Sequence, residues 1–384
     1  MVEFIKVEGD AKTRGLQQGD QLHDKIHHSL EKVFNSKMFK QVTTWYMPLS
    51  IVKFGLGSLG LRKIKKHLKS ELPNQYEKLV GISESSGLSE RLTFGLHYVE
   101  VLASIPENIF RNPPIQACSM IMARGSATEN NEILFARNYD YPKILRDFQM
   151  VRLEKPTNGY KNLNMSQFPL AGSHMGLNEH GLAIGYNSGR TWKKEPLDIR
   201  AEGVPMTLIV QAALEECKTM EDAVEFIGNF PARNVGAFLG IVDKSGEICI
   251  LETTSTRHAL RLPENDWLVQ TNLYMTPELK DANIPNDVHW KMEDMDIPYS
   301  RSPKMRYDRA HKLISQKEGN ITLETLKTTL ADHDNREPDD FTLCQHGSTG
   351  ITLASILIKP ETLEFWATDK HPCLGEHEKI DFTA

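Results

Sequence analysis

The hydrophobic pattern of the chain changes character near residue 117. Before that point apolar residues recur at helical spacing, as at Leu16, Leu22, Ile26, Leu30 and Val33. Residues 1–8 have the pattern of a short strand, and Pro73 and the run 89–92 are typical of helix starts. We therefore predict that residues 1–117 consist of one opening strand followed by a series of helices.

From Cys118 onwards the pattern changes to short strands joined by turns. Two apolar runs, 117–125 and 132–140, flank turn-forming residues at 126–131, which predicts a β-hairpin. A later hairpin is predicted over 351–368. Further strands are predicted at 182–186, 235–242, 247–253 and 267–273, and helices at 206–230, 304–315 and 323–330. Strands grouped around helices with antiparallel connections indicate a layered α+β fold.

The composition narrows the class of protein. A chain of 384 residues can bury a large core in one domain or two. The 45 basic and 51 acidic residues give a net charge of −6, which argues against a general nucleic-acid binder. Five cysteines with no CxxC pair fit a reducing compartment better than a disulfide framework. Because the first residues lack the features of a signal peptide, we expect a cytoplasmic protein.

The first predicted hairpin contains a candidate nucleophile. Its fold returns Arg137 and Asp140 towards Cys118, and a nearby cation favours the thiolate form of a cysteine. For this hairpin taken alone, a buried structural cysteine on a core strand is the competing interpretation.

Three more polar residues stand where the pattern is otherwise apolar. Asn187 ends the run 182–186 and Asn272 ends the run 267–271, and an amide at a strand tip can offer its NH₂ group to a developing oxyanion. Arg306 stands at the start of a predicted helix. Taken singly, each has a simpler explanation, which is a strand cap for the asparagines and an exposed cation for the arginine.

Other motifs are explained better by structure than by a bound group. Residues 55–60 match GxGxxG, but no strand–helix unit surrounds them, so glycines in a helix or turn are favoured over a dinucleotide site. His23 and His27 have metal-ligand spacing without a third ligand. The runs 332–334 and 344–346 contain His and Cys, and a polar turn before a strand explains them as well as zinc does. We therefore expect no metal and no cofactor.

The longest apolar stretch covers residues 47–61 and is followed by the basic run 62–66. It is shorter than the roughly 20 residues that a transmembrane helix needs. This segment could be a helix on a membrane surface or the cover of an acyl-binding pocket. A packed helix with a solvated basic face is the favoured interpretation. Self-association of identical chains also stays open.

Taken together, these features resemble the acyl-coenzyme A:6-aminopenicillanate acyltransferase family of cysteine Ntn-hydrolases, which are relatives of the choloylglycine hydrolases. The resemblance spans nearly the whole chain and rests on the shared order and spacing of its motifs. They are Gly9 to Gly19 with Arg14-Gly15 between them, Cys118-Ser119, Arg137 to Asp140, Gly176 to Leu182, Asp332-His333, Cys344 to His346, and Thr349 to Cys373.

The resemblance implies an αββα four-layer Ntn-hydrolase sandwich that is made as an inactive precursor. Cys118 would itself cut the peptide bond that precedes it. Residues 1–117 would then stay attached as a small subunit of the catalytic core 118–384, so that the two form one structural unit. Ala117 replaces a glycine of the best-known member and Leu273 stands where histidine is common, and neither change removes a catalytic group.

The resemblance also implies how the hairpin residues would act. Cys118 would attack an amide or thioester carbonyl, with its own freed α-amine as the general base. Asp140 would hold that α-amine, and Arg137 would bias the thiol towards thiolate.

The remaining site residues would stabilise the reacting group. Asn272, with Asn187 as a second donor, would donate hydrogen bonds to the oxyanion, and Arg306 would be a supporting cation. The partner would be a small acylated amine or acyl thioester. Water would resolve the S-acyl enzyme in a hydrolase, and an amine would resolve it in an acyltransferase.

Two other functions compete with this interpretation. An uncleaved, non-catalytic member of the family would bind a small amide or act as a scaffold. A bile-salt or penicillin-type amidase is disfavoured by the long segment that precedes Cys118, because those relatives expose their cysteine after little or no trimming.

Overall fold

The structure is a computed structural model that describes residues 2–36, 48–104, 117–192, 198–292, 295–347 and 350–382. Residues 105–116, which precede the predicted cleavage point, lie outside the described residues, as do Thr349 of the last motif and Met47 of the apolar stretch. Within these limits the structure contains two large sheets, one small hairpin and helices packed on the outer faces of the large sheets.

The described residues of the segment 1–117 are mostly helical, as predicted. A strand, β1, precedes the helices α1 to α5, which cover Glu3–Gly9, Ala11–Gln21, His23–Asn35, Leu49–Glu71, Pro73–Ser86 and Glu90–Ser104 in that order. The side chain of Asp10 caps α1 by accepting a hydrogen bond of 2.7 Å from the Thr13 N–H. Gly87 ends α4 in the left-handed conformation, with φ 72°, which favours glycine.

The first sheet has eight strands, one of which comes from the N-terminal segment. Strand β1 pairs in parallel with β4, and the later neighbours in this sheet are antiparallel. The strand order is β1-β4-β5-β6-β7-β8-β9-β10, where β4 to β10 cover Gln149–Pro156, Asn162–Gln167, Met175–Asn178, Ala183–Gly189, Gly236–Val242, Ile248–Thr253 and His258–Arg261.

The second sheet has six strands and contains both predicted hairpins. Its order is β11-β2-β3-β14-β15-β16, where β2 and β3 cover Ala117–Gly125 and Asn131–Tyr141, β11 covers Trp267–Gln270, and β14 to β16 cover Ile351–Lys359, Glu364–Thr368 and Glu378–Ile380. Strands β12 (His289–Met292) and β13 (Met295–Pro298) form the small separate hairpin.

Alternation along β2 shows how the layers are built. Met120 and Met122 lie in an apolar cluster to which strands of both sheets contribute, whereas Ile121 and Ala123 lie in a cluster with the helices outside the second sheet. Successive side chains of a strand leave opposite faces of the sheet, so one strand serves both layers. Because both faces are covered, β2 has a nearly continuous apolar sequence.

Helices cover the outer face of each large sheet. Helices α6 (Met206–Glu216) and α7 (Met220–Gly228) pack on the first sheet together with residues of α3 to α5. Helices α8 (Arg301–Ser315) and α9 (Leu323–Leu330) pack on the second sheet. The predicted αββα four-layer sandwich is therefore confirmed.

Several sequence predictions need correction in detail. Asn187 lies inside β7, paired with Phe238, and does not end its strand, because the strand continues to Gly189. Strand β11 ends at Gln270, so Asn272 lies just beyond it. Arg306 lies in the second turn of α8 and is buried, whereas the sequence taken alone favoured an exposed cation.

The GxGxxG run lies inside helix α3, where its glycines allow a close helix crossing. A Cβ on Gly60 would lie 2.5 Å from the carbonyl carbon of Phe94 in α5, and one on Gly57 would lie 2.7 Å from the carbonyl oxygen of Arg91. Gly57 and Gly60 therefore have a packing role, as the sequence favoured, whereas a Cβ on Gly55 would meet nothing within 4 Å. No helix in the described part of the chain is both long enough and apolar enough to cross a membrane.

Candidate active site

The register of the β2–β3 hairpin brings Arg137 to Cys118. Cys118 lies opposite Tyr139, and Met120, two residues further along the same face, lies opposite Arg137. From this diagonal position the Arg137 Nη2 donates to the Cys118 Sγ at 3.1 Å. The thiol is buried, with 1% of the residue exposed. The prediction that the hairpin returns Arg137 to Cys118 is confirmed.

Asn272 and Arg306 approach the backbone of Cys118 from outside the hairpin. The Cys118 N–H donates to Asn272 Oδ1 at 3.0 Å, and Arg306 Nη2 donates to the same oxygen at 2.9 Å. Arg306 Nη1 donates to the Cys118 carbonyl at 2.7 Å and to Ser119 Oγ at 2.9 Å. Two donors on Oδ1 fix the orientation of this amide. Its NH₂ group donates to the Ser188 carbonyl at 2.9 Å.

Asn187 extends from the first sheet towards the same cysteine. Its Oδ1 accepts from Arg137 Nε at 3.0 Å, which fixes the orientation of the amide. Its Nδ2 lies 3.3 Å from the Cys118 carbonyl and 3.2 Å from the Thr271 carbonyl. Asn272 thus contacts the Cys118 N–H and Asn187 the Cys118 carbonyl, and both asparagines are buried.

Asp140 lies close to Cys118, but its carboxylate has a different partner. It pairs with Ala117 in the hairpin, and its Oδ1 accepts from Thr352 Oγ1 at 2.6 Å. Its Oδ2 is buried and has no hydrogen-bond partner among the described residues. In this single chain the Cys118 nitrogen is an amide that bonds to Asn272, and the contact of Asp140 with the freed α-amine stays a prediction.

Burial controls the electrostatics of this cluster. Burial raises the pKa of the Cys118 thiol, and the Arg137 guanidinium offsets this only in part. Burial also raises the pKa of Asp140 to about 6, although the positive charge of Arg306 acts in the opposite direction. The thiol and the carboxyl group are thus both held closer to their neutral forms than in water.

Three residues of this cluster were not predicted to have a role in the site. Ser119 accepts from Arg306, Thr352 donates to Asp140, and the Ser188 carbonyl accepts from Asn272. Only Ser119 could have been found from the sequence, since it adjoins Cys118. The partners of the other two become evident only when the sheets are assembled.

Of the His and Cys residues with metal-ligand spacing, some lie in one group of four ligand side chains and others do not, within the described part of the chain. His27 Nε2 forms a hydrogen bond with the Ser86 carbonyl at 2.8 Å, and neither it nor His23 belongs to a group of three metal-ligand side chains in the described residues. His333, Cys344 and His346 lie together with Cys373, which was not predicted to join them. Residues 332–334 and 344–346 lie outside the helices and strands, as predicted for polar turns, and they also bring these four side chains together.

Comparison with solved structures finds distant likenesses. An N-acylethanolamine-hydrolyzing acid amidase ortholog from Caenorhabditis elegans is 13% identical, with a TM-score of 0.44 over 64% of this chain and 93% of that chain. A mutant conjugated bile acid hydrolase from Clostridium perfringens is 14% identical, with a TM-score of 0.44 over 69% and 92%. Penicillin V acylase from Agrobacterium tumefaciens is 15% identical, with a TM-score of 0.43 over 69% and 86%.

Sequence comparison identifies the family. No curated protein sequence matches the chain. Residues 126–372 match the family described as acyl-coenzyme A:6-aminopenicillanic acid acyl-transferase, a range that begins shortly after Cys118. Since this range covers more than half of the 384 residues, the chain belongs to that family of Ntn-hydrolases, whose general reactions are amide cleavage and acyl transfer.

Proposed function

We propose that this protein is an autoprocessed cysteine N-terminal-nucleophile enzyme that hydrolyses or transfers acyl groups through an S-acyl intermediate on Cys118. The observation that carries the proposal is the Arg137 Nη2 at 3.1 Å from the Cys118 sulfur, in a site where Asn272 Oδ1 accepts from the Cys118 N–H. The sulfur and the nitrogen of one residue thus have separate polar partners, as a nucleophile and its own base require.

Self-cleavage is needed before this chemistry can begin. While the Cys118 nitrogen is part of a peptide bond it cannot accept a proton, so the thiol first attacks the Ala117 carbonyl carbon. The peptide bond breaks as a thioester forms, and water then hydrolyses the thioester to leave a carboxylate on Ala117 and a free amine on Cys118. A free α-amine has a pKa of about 7.7–8.0 and can act as a base near neutral pH.

In turnover, the α-amine takes the thiol proton while the sulfur attacks the substrate carbonyl. We infer that Asn187 and Asn272 donate to the oxyanion and that Arg137 stabilises the thiolate. The donor role of Asn272 requires its NH₂ group to exchange the bond to the Ser188 carbonyl for one to the oxyanion. Asp140, whose Oδ2 has no partner among the described residues, would accept from the newly formed α-amine.

We infer that residues 1–117 remain bound to the core 118–384 after the cut. Strand β1 pairs with β4 over seven residue pairs, so the cut would not release it from the first sheet. Helix α1 also joins the two parts, because Arg14 forms hydrogen bonds of 3.0 Å with both carboxylate oxygens of Glu215 in α6. These contacts support one structural unit.

We infer that the substrate is a small acylated amine or an acyl thioester. Attack of the Cys118 thiolate transfers the acyl group to sulfur and releases an amine or a thiol, with the proton supplied by the α-ammonium group. Water then gives a free acid, whereas a second amine gives a new amide. Measuring both products from one acyl donor, with and without an added amine, distinguishes a hydrolase from a transferase.

Intact mass spectrometry of the purified protein tests the proposal. We expect two fragments that separate under denaturing conditions but co-purify in native buffer, with the larger one starting at Cys118. Cys118→Ala should stay a single inactive chain. Cys217→Ala is the matched control, because Cys217 is also buried and burial raises the pKa of its thiol to about 12. Unlike Cys118, it is far in sequence from Arg137.

Two results would speak against this proposal in different ways. A wild-type chain that is uncut yet fully active would refute the mechanism in which the α-amine is the base. An uncut chain that is inactive towards amides and thioesters would favour the non-catalytic, small-molecule-binding or scaffold alternative.

A further inference from the structure

Four side chains with metal-binding atoms meet at one point between the end of α9 and the end of β15. They are His333, Cys344, His346 and Cys373, and we call them the His–Cys cluster. One ligand atom from each lies within 4.8 Å of the ligand atoms of all the others. Cys344 Sγ lies 3.4 Å from His346 Nε2 and 3.5 Å from Cys373 Sγ, and His346 Nε2 lies 3.2 Å from Cys373 Sγ.

Three separate segments of the chain supply these atoms. His333 comes just after α9, and Cys373 comes after β15. Cys344 and His346 are two residues apart on the stretch that enters β14, where His346 forms an isolated bridge with Ile351. The two ligands converge, since Cys344 Sγ lies 3.4 Å from His346 Nε2.

The chemistry and the spacing of the cluster match a structural zinc site. Two thiolates with two imidazoles are a set that binds zinc tetrahedrally. In such a site, with Zn–S of about 2.3 Å and Zn–N of about 2.0 Å, neighbouring ligand atoms lie roughly 3.3–3.8 Å apart. The separations among Cys344, His346 and Cys373, which are 3.2, 3.4 and 3.5 Å, are close to these values, and the ligand atom of His333 lies within 4.8 Å of the other three. His333 Nε2 is buried without a hydrogen-bond partner among the described residues, as a nitrogen reserved for a metal would be.

The surroundings orient the cluster in the way that metal ligands are usually supported. The ring of His371 stacks on His346 with centroids 3.8 Å apart, and His371 Nε2 lies 3.1 Å from Arg146 Nη2. The ring of His333 meets His346 edge-on, with centroids 5.2 Å apart. These contacts restrict the ring of His346, and outer residues that fix ligand orientation are typical of metal sites.

A disulfide is the main alternative for the two cysteines. Cys344 and Cys373 are free, and their sulfurs lie 3.5 Å apart, whereas a disulfide bond is about 2.0 Å long. A disulfide would explain neither histidine, since it uses no imidazole. A metal ion uses all four side chains, so the convergence of His333 and His346 on the cysteines favours it.

We propose that His333, Cys344, His346 and Cys373 bind one Zn²⁺ ion as a structural site. Binding replaces the S–H protons of both cysteines, which are released to solvent, and leaves both imidazoles neutral. The ion would fasten the segment that leads into β14 to the segment that follows β15.

The site would also support the proposed catalytic cluster. Gln345, between two of the ligands, donates its N–H to Thr352 Oγ1 at 2.9 Å, and Thr352 Oγ1 donates to Asp140 Oδ1 at 2.6 Å. The zinc proposal is independent of the proposed function, because the ion contacts no reacting atom.

The first test is elemental analysis of the full-length protein produced with zinc in the medium. We expect about one zinc per chain, as for a single four-ligand site. Cys373→Ser and His333→Ala should reduce the zinc content to background, whereas Cys217→Ala should retain it. A zinc content at background in the wild-type protein, before and after incubation with ZnCl₂ under reducing conditions, would overturn the proposal. So would an unchanged zinc content in both ligand variants.

Two further measurements keep the test decisive if the ligand variants fold poorly. Co²⁺ added to the metal-free wild-type protein should give the absorption of tetrahedral thiolate coordination, and added Zn²⁺ should abolish it. Cys373→His keeps a ligand at that position and should retain zinc. Peptide mapping under non-reducing conditions addresses the alternative, because a cross-linked peptide that joins Cys344 to Cys373 in the as-purified protein would show a disulfide and contradict the metal site.

Discussion

Two groups of buried polar residues in this protein are buried to a similar extent but differ in how their charges are paired. In one group cations contact carboxylates, and in the other cations contact neutral groups. The first, which we call the ionic cluster, consists of Arg14, Lys78, Arg152, Glu154 and Glu215. The second, which we call the thiol cluster, consists of Cys118, Arg137, Asp140, Asn272 and Arg306. All ten residues are less than a tenth exposed. The comparison shows how buried charges in one fold can either stabilise the structure or prepare a group for reaction.

In the ionic cluster three cations share two carboxylates, so every charged group has a partner of opposite sign. Glu154 contacts Arg14 and Lys78, and it forms an ion pair of 2.6 Å with Arg152. Burial alone would raise the pKa of Glu154, but the three cations outweigh it and hold that pKa well below its usual range. The cluster also explains the Arg14-Gly15 motif, because a Cβ on Gly15 would lie 2.2 Å from the Lys78 carbonyl oxygen in α4.

In the thiol cluster the cations contact groups that are formally neutral. Arg137 donates to a thiol, and Arg306 donates to a backbone carbonyl and an amide oxygen. The one carboxyl group, Asp140, has a raised pKa and an oxygen with no partner among the described residues. Buried positive charge beside an ionisable thiol stabilises the anion that a reaction would generate, so this imbalance distinguishes a candidate active site from a structural network.

The largest effect on stability should follow from breaking the ionic cluster. Glu154→Ala leaves buried cations without their shared carboxylate and should lower the free energy of unfolding by about 3–5 kcal/mol. Urea denaturation measures this change. The turnover of the remaining folded protein should stay near the wild-type value. A loss below about 1 kcal/mol would show that the cluster contributes little to the fold.

The next largest effect should be on catalysis and should leave the fold intact. Asn272→Ala should lower kcat about 10²–10³-fold, as for loss of an oxyanion donor. Asn272→Asp keeps an acceptor for the Cys118 nitrogen but removes the donor. Steady-state kinetics of both variants therefore separate the two roles. If Asn272→Asp keeps wild-type turnover while Asn272→Ala does not, Asn272 acts by orienting the amine.

The pH dependence of the thiol cluster should follow the ionisation of Asp140. Its pKa is raised from an ordinary value of 3.8 to about 6 in the folded protein, so folding favours the protonated form. This preference contributes about 3 kcal/mol to the free energy of unfolding at low pH. The contribution is fully present below about pH 4 and is lost as pH rises through about 6. Activity should change in the opposite direction and rise through the same range, because the carboxylate must be ionised to accept from an ammonium group.

Asp140→Asn provides the control for that prediction. The variant should lack the difference in unfolding free energy between pH 4 and pH 7 that is due to this group, and its remaining activity should not rise through pH 6. Urea denaturation and pH–rate profiles of the two proteins give the comparison. Identical profiles in the two proteins would assign the pH dependence to another group.

The smallest effect should come from an exposed ion pair on the same helices as the ionic cluster. Lys12 in α1 lies 2.9 Å from Glu84 in α4, and their side chains are 44% and 48% exposed. Lys12→Ala should therefore leave the urea midpoint unchanged within measurement error, because solvent screens the pair. A shift comparable to that of Glu154→Ala would mean that burial does not decide the importance of charges at this interface.

Local sequence predicts the hairpins and the capped helices well. The turn formers at 126–131 and the apolar runs beside them gave the β2–β3 hairpin, and helix α9 has the predicted bounds Leu323–Leu330. By contrast, β4 and β5 alternate apolar and polar residues, which is typical of strands with one face in solvent, yet their polar residues Arg152, Glu154, Asn162 and Asn164 are buried. A charged side chain in the interior resembles a surface position until its partner is known.

The sequence by itself determined the closeness of Cys118 and Arg137, because a hairpin with a short turn sets which residues of its two strands meet. Only the tertiary structure decided that Arg306 is buried against the Cys118 carbonyl, and that Cys373 joins His333, Cys344 and His346. Those contacts connect elements far apart along the chain, and the packing of helices on sheets brings them together. Residue spacing encodes distances within a hairpin but not across layers, so these contacts could be found only in the assembled sandwich.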